Sequence, residues 1–123
     1  MVTLADARRI IAAAEKKAAE IGQPMNIAVV DAGGNLIAHV RMDGAWLGSI
    51  DISIKKAFTS RAFDITTKDL ATHSQSGGQF FGIHASNHGK VMIFAAFQRY
   101  AAGENHHLAV VRGVDPEELP ARL

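Results

Sequence analysis

The sequence predicts an α+β fold: an antiparallel sheet with helices packed against it. Three observations carry this. The chain opens on an amphipathic helical pattern. A continuous apolar run then meets a glycine turn and a second apolar run, which is how a hairpin reads. Two more helical patterns follow before any further strand, so helices do not alternate with strands as a doubly wound parallel sheet requires. The length, 123 residues, suits one domain over 1–123.

Each element has its own signal. Thr3 with Asp6 forms a capping-box pattern, Asp replacing the usual Glu or Gln. Ala7, Ile10, Ile11, Ala14, Ala18 and Ile21 then recur at helical spacing, and Gly22 with Pro24 ends the helix. Ile27, Ala28, Val29 and Val30 form the apolar run of a strand covered on both faces. Gly33-Gly34-Asn35 supplies the turn, helped by an Asx bond from Asp31, and Leu36 to Val40 returns, giving a hairpin over 25–41. Ile50, Ile54, Ala57 and Phe58 mark the apolar face of a second helix over 49–63. Thr66 and Asp69 repeat the capping pattern and open a short third helix to His73. Residues 74–90 are rich in glycine and polar residues, a stretch long enough to be functional or mobile. Strands are expected over Val91–Phe97 and His107–Arg112, and Asp115-Pro116 has the form of a helix start.

Composition removes several function classes. The formal charge is +1, so no strong field recruits nucleic acid or an anionic membrane. Cysteine is absent, which excludes disulfides, thiolate metal sites and thiol nucleophiles. No apolar signal region or membrane span is visible, so the expected compartment is the cytoplasm, secretion after signal removal being the alternative. The glycines at 77, 78, 82 and 89 lead to Lys90-Val91 rather than Gly-Lys-Ser, and no dinucleotide fingerprint or Gly-x-Ser-x-Gly elbow occurs. Hard chemistry therefore falls to six histidines, to carboxylates or to a bound cofactor.

Three segments taken in order are distinctive: Asn26-Ile27-Ala28-Val29-Val30-Asp31-Ala32-Gly33-Gly34-Asn35-Leu36-Ile37-Ala38, then Arg41-Met42-Asp43-Gly44-Ala45, then Gly48-Ser49-Ile50-Asp51-Ile52-Ser53-Ile54-Lys55-Lys56-Ala57. Over residues 4–94 the chain resembles the GlcG/HbpS family of small bacterial haem-binding and related proteins. The same module forms the C-terminal domain of PduO-type corrinoid adenosyltransferases. The resemblance implies a profilin-like α/β/α fold on an antiparallel sheet and assembly into homo-oligomers, from dimers to octamers. It also implies haem binding in some members, with redox sensing or haem handling as the role, and the leading expectation is a non-catalytic haem- or tetrapyrrole-binding module. A second reading is a small enzyme or accessory protein that binds a small organic acid in a catabolic or corrinoid-dependent pathway. After Val91-Met92-Ile93-Phe94 the family carries a Gly-Gly-x-Pro turn; here Ala95-Ala96-Phe97-Gln98 follows, and residues 95–123 form an atypical tail.

Haem iron takes histidine as its usual axial ligand. His39 lies on the return strand, on one face with Ile37 and Arg41, either as the iron ligand or as a partly exposed strand histidine. His73, at the end of the third helix, is a second candidate, although the helix dipole alone explains it. His84 and His88 are four apart, but Ala85-Ser86-Asn87 and Gly89 favour a loop over a chelating helix. His106-His107 would point to opposite faces of a strand and make a poor joint chelate. Arg41 suits a propionate or a substrate carboxylate, or else an ion pair with Asp43 or Asp51. Of Lys55 and Lys56, one is expected in solvent and the other snorkelling toward the sheet. Of Phe80 and Phe81, one is expected in the core and one partly exposed, over a ligand or a partner subunit.

Overall fold

The structure, a computed structural model, describes residues 2–93, 98–99 and 108–111. Helix α1 (Leu4–Glu20) begins at a complete capping box. The Asp6 N–H donates to the Thr3 hydroxyl at 3.1 Å, and the Thr3 N–H donates back to the Asp6 carboxylate at 2.9 Å. Strands β1 (Asn26–Val30) and β2 (Leu36–Arg41) form the expected antiparallel hairpin. Its turn closes on Asp31, whose Oδ1 accepts from the Gly33 and Asn35 N–H groups, both at 2.9 Å. Helix α2 (Ser49–Phe63) and the short α3 (Thr67–His73) follow, α3 capped by the Thr66 hydroxyl. Two short strands, β3 (Gln98–Arg99) and β4 (Leu108–Val111), complete an antiparallel sheet of order β2-β1-β4-β3.

The sheet lies between the two long helices. Ala7, Ile10, Ile11, Ala14 and Ala18 of α1 pack with Ile27 and Val29 on one face, joined by Ala38 and Val40 of β2. On the other face Ala28 and Val30 pack with Ala57 and Ile54 of α2. Covered on both sides, β1 is buried throughout, as its unbroken apolar run implies.

Two expectations change. Helix α2 does not turn Ile50, Ile54 and Phe58 fully inward; these are half-buried. Its buried residues are Ser49, Ser53, Lys56, Ala57, Thr59 and Ser60, a mostly polar stripe. Small hydroxyl side chains permit close approach to the sheet, and Ser53 and Thr59 return their O–H to the helix's own carbonyls, Ser53 to Ile50 at 2.9 Å. The strand expected from Val91 is not formed over 91–93. The Met92 N–H donates instead to the Thr59 hydroxyl at 2.9 Å, which donates on to the Lys55 carbonyl at 2.7 Å. Residues 94–97 and the helix start at Asp115-Pro116 lie outside the described residues, as do His106 and His107. The 74–90 stretch is a chain of tight turns with 3₁₀ segments Ile83–Ala85 and Asn87–Gly89, closed repeatedly by bonds three residues apart. Among the described residues no helix is long and apolar enough to cross a membrane.

Candidate functional site

Among the described residues β2 is the outer strand of the sheet, with no further strand beyond it, and its side chains alternate between two environments. Register pairs Val29 with Ala38 and Ile27 with Val40, so these β2 residues face α1. His39 pairs with Ala28 and Arg41 with Asn26, on the α2 side. This is the face division expected for His39, Ala38 and Val40, but Ile37, expected on the face of His39, packs with the α1 cluster where the register shifts between Val29 and Val30.

A groove of about 740 Å³ runs between α1 and β2, within the range of small-molecule sites. Its helix wall is Leu4, Arg8, Ile11, Ala12, Glu15, Lys16 and Ala19, the stripe that flanks the buried face of α1 at spacings of three and four. Ala38, His39, Val40 and Met42 form the strand wall. The lining is apolar and flat over Ala12, Ala19 and Ala38, with Arg8 and Lys16 as cations on the helix side.

His39 is the sequence-predicted ligand that the structure sets apart. Its Nε2 is buried and has no hydrogen-bond partner among the described residues. Desolvation pushes its pKa below the ordinary 6.5, so the ring is neutral at physiological pH. A neutral imidazole with an unused ring nitrogen is the form that binds metals. The other candidates are not gathered with it. His73 is exposed at the end of α3, its ring edge-on to Phe80 with centroids 6.1 Å apart. His84 and His88 are exposed in the 3₁₀ turns. Among the described residues no three histidines or carboxylates converge to hold a metal ion.

Arg41 forms neither of the ion pairs weighed for it. Its Nη1 donates to the Ala45 carbonyl at 3.2 Å, while Asp51 pairs with Lys55 at 3.0 Å across one helical turn. The loop it braces is further pinned by Asn26, whose Nδ2 donates to the Trp46 carbonyl at 3.0 Å. Phe80 and Phe81 are 41% and 65% exposed, so neither enters the core.

The strongest signal missed in sequence is Lys56. It does not snorkel; it is wholly buried between α2 and the sheet. Desolvation lowers its pKa to about 7. Near it, Asn26 Oδ1 on β1 and Ser60 Oγ on α2 are buried, and these two oxygens have no hydrogen-bond partner among the described residues. The visible clue was Ser49, Ser53, Lys56 and Ser60 at one helical spacing, a polar stripe where a core stripe belongs.

A family model described as "Haem degrading protein HbpS-like" matches residues 2–96. The chain belongs to the HbpS-like family. Among HbpS-like relatives, an uncharacterized 15.0 kDa protein of Citrobacter freundii, from the dhaT-dhaS intergenic region, is 38% identical over 93 residues. That match covers 76% of this chain and 66% of the relative, just under two thirds of its length. The crystal structure of Klebsiella pneumoniae protein ORFY superposes with a TM-score of 0.79 at 34% identity, covering 95% of this chain and 81% of that one. A PduOC:heme complex superposes with a TM-score of 0.70 at 25% identity, covering 90% and 81%. These likenesses bear out the α+β class and the GlcG/HbpS resemblance read from residues 26–57.

Proposed function

We propose that this chain binds haem or a closely related tetrapyrrole along the β2 edge, with His39 as the iron ligand, in a sensing or haem-handling role. The observation that carries this is the buried, unpartnered Nε2 of His39, a residue that also lines the α1–β2 groove, which is large and apolar enough for a macrocycle. A buried polar atom left unpaired costs roughly 1–3 kcal/mol, and ligation of a metal would recover it. Although the ring projects toward α2, β2 is an outer strand, so a ligand lying along its edge meets side chains of both faces. Bound haem would supply an iron centre open to axial ligation; the chain's own part is to hold the macrocycle, exclude water and donate the imidazole. Membership of the HbpS-like family and the likeness to a PduOC:heme complex support the ligand class.

The chain assembles with itself in this reading. Trp46, Leu47, Phe80 and Phe81 are all exposed, a set of large apolar side chains that a partner surface would cover. Hemin titration followed by absorbance tests the ligand. A Soret band that shifts or collapses in His39→Leu, and persists in His73→Ala and His84→Ala/His88→Ala, is the expected result. A Soret band unchanged by His39→Leu contradicts the assignment.

A second reading, a small organic acid held at Arg41, rests on one observation. The exposed Arg41 has no carboxylate partner among the described residues. Thermal stabilisation by small carboxylates but not by tetrapyrroles would select it.

A further inference from the structure

We infer that the α1–β2 groove selects tetrapyrroles through their carboxylates, Arg8 and Lys16 pairing with two anionic side chains of the macrocycle whether or not it carries iron. This rests on the tetrapyrrole reading above and names which members of that class the site takes.

The charges on α1 divide into two sets. Arg9 pairs with Asp6, and Lys17 lies 3.9 Å from Glu20. Both pairs are internal to the helix, and neither cation lines the groove. Arg8 and Lys16 do line it, and among the described residues neither has a carboxylate partner. They stand eight residues apart, roughly 12 Å along the axis. Their long side chains can converge on two anions held at one margin of a flat ligand. Glu15, between them in sequence, also lines the groove and has no cation partner among the described residues. Its charge opposes a third anion and disfavours a polyanion such as a nucleotide triphosphate. Ile11 and Ala12 on the helix wall and Ala38 and Val40 on the strand wall offer apolar surface. Such a lining matches a planar apolar ring with two carboxylates. A corrinoid, whose ring-edge chains end in amides and whose one anion is a phosphodiester in its nucleotide loop, offers no pair of carboxylates to the two cations.

The test separates iron from carboxylate. Metal-free protoporphyrin IX is titrated by fluorescence into the wild type, Arg8→Gln/Lys16→Gln and His39→Leu; protoporphyrin dimethyl ester, hydroxocobalamin and hemin form the other arms. An exposed ion pair is worth a factor of up to about five, so removing both cations should weaken protoporphyrin about tenfold and flatten its salt dependence. His39→Leu should alter the hemin spectrum and weaken protoporphyrin less than the double substitution does. The ester and the corrinoid should bind the wild type weakly and be indifferent to the double substitution. Hemin bound by the wild type, with protoporphyrin equally tight on the double variant, overturns the inference and spares the haem reading. Wild type that binds neither hemin nor protoporphyrin overturns both. Sedimentation is run on the same samples: a double variant with altered oligomeric state and unaltered porphyrin affinity gives the groove to a second copy of the chain and overturns the inference.

Discussion

Replacing Lys56 by Met should make the protein more stable at neutral pH and remove most of the rise in its stability above pH 7. Lys56 is wholly buried, and desolvation lowers its pKa from 10.5 to about 7. The unfolded chain holds this proton up to about pH 10.5, whereas the folded chain releases it near pH 7. Between those limits the unfolded state binds more protons, so stability rises with pH by at most about 1.4 kcal/mol per pH unit. Over the whole window the effect reaches about 5 kcal/mol as an upper bound. The contribution is fully present above the unfolded value, is lost as pH falls through the window, and is absent below pH 7. Met has similar length and needs no charge, so Lys56→Met gives up little packing and removes the linkage. Urea unfolding of both proteins from pH 6 to 10, read by circular dichroism, measures it. The expected difference is largest at pH 6–7 and shrinks as pH rises. Parallel stability profiles for the two proteins would refute the reasoning, because they would mean that Lys56 keeps an ordinary pKa when folded.

Other consequences are local. Thr3→Ala removes the side-chain half of the α1 capping box and should cost about 1 kcal/mol in urea unfolding. The Asp6 pKa falls to about 2, chiefly through its bond from the Thr3 backbone, so the box should persist in acid until pH drops below the ordinary 3.8 toward 2. Helix loss between pH 6 and 4 in a variant carrying only this cap would contradict that. Gly34 has φ +78° and a Cβ there would lie 3.0 Å from Phe58, whereas Gly22 at φ +67° faces open space. Gly34→Ala should therefore destabilise by more than the roughly 1–2 kcal/mol of left-handed strain that Gly22→Ala carries alone. Equal losses at the two positions would show that Phe58 yields freely.

Where local chemistry decides an element, the sequence is legible. The Thr3–Asp6 and Thr66–Asp69 caps, the Asp31 turn and the 49–63 helix all depend on residues close in the chain, and all occur where those residues place them. Misreadings arise where a distant partner decides. Met92 gives its N–H to Thr59, 33 residues away, and so leaves the ladder the apolar run at 91 suggests. Isoleucines on α2 drew attention away from the serines, although the layer between α2 and the sheet admits small polar side chains and one lysine. For the site, strand alternation separated His39 from Ala38 and Val40 correctly, but not the isolation of its Nε2, which depends on everything packed around it. Arg8 and Lys16 fall between the apolar positions of α1, where charges ordinarily meet solvent, and only the position of β2 beside α1 makes them a groove wall.

The central claim is that the half-buried His39 on β2, with its buried and unpartnered Nε2, ligates haem iron. Hemin titration of the wild type beside His39→Leu, read at the Soret band, tests it most directly. The account predicts a saturable band in the wild type whose position or intensity changes in His39→Leu, while the folded far-ultraviolet signal is unchanged. Identical Soret spectra in two folded proteins, or no band in either, would contradict it.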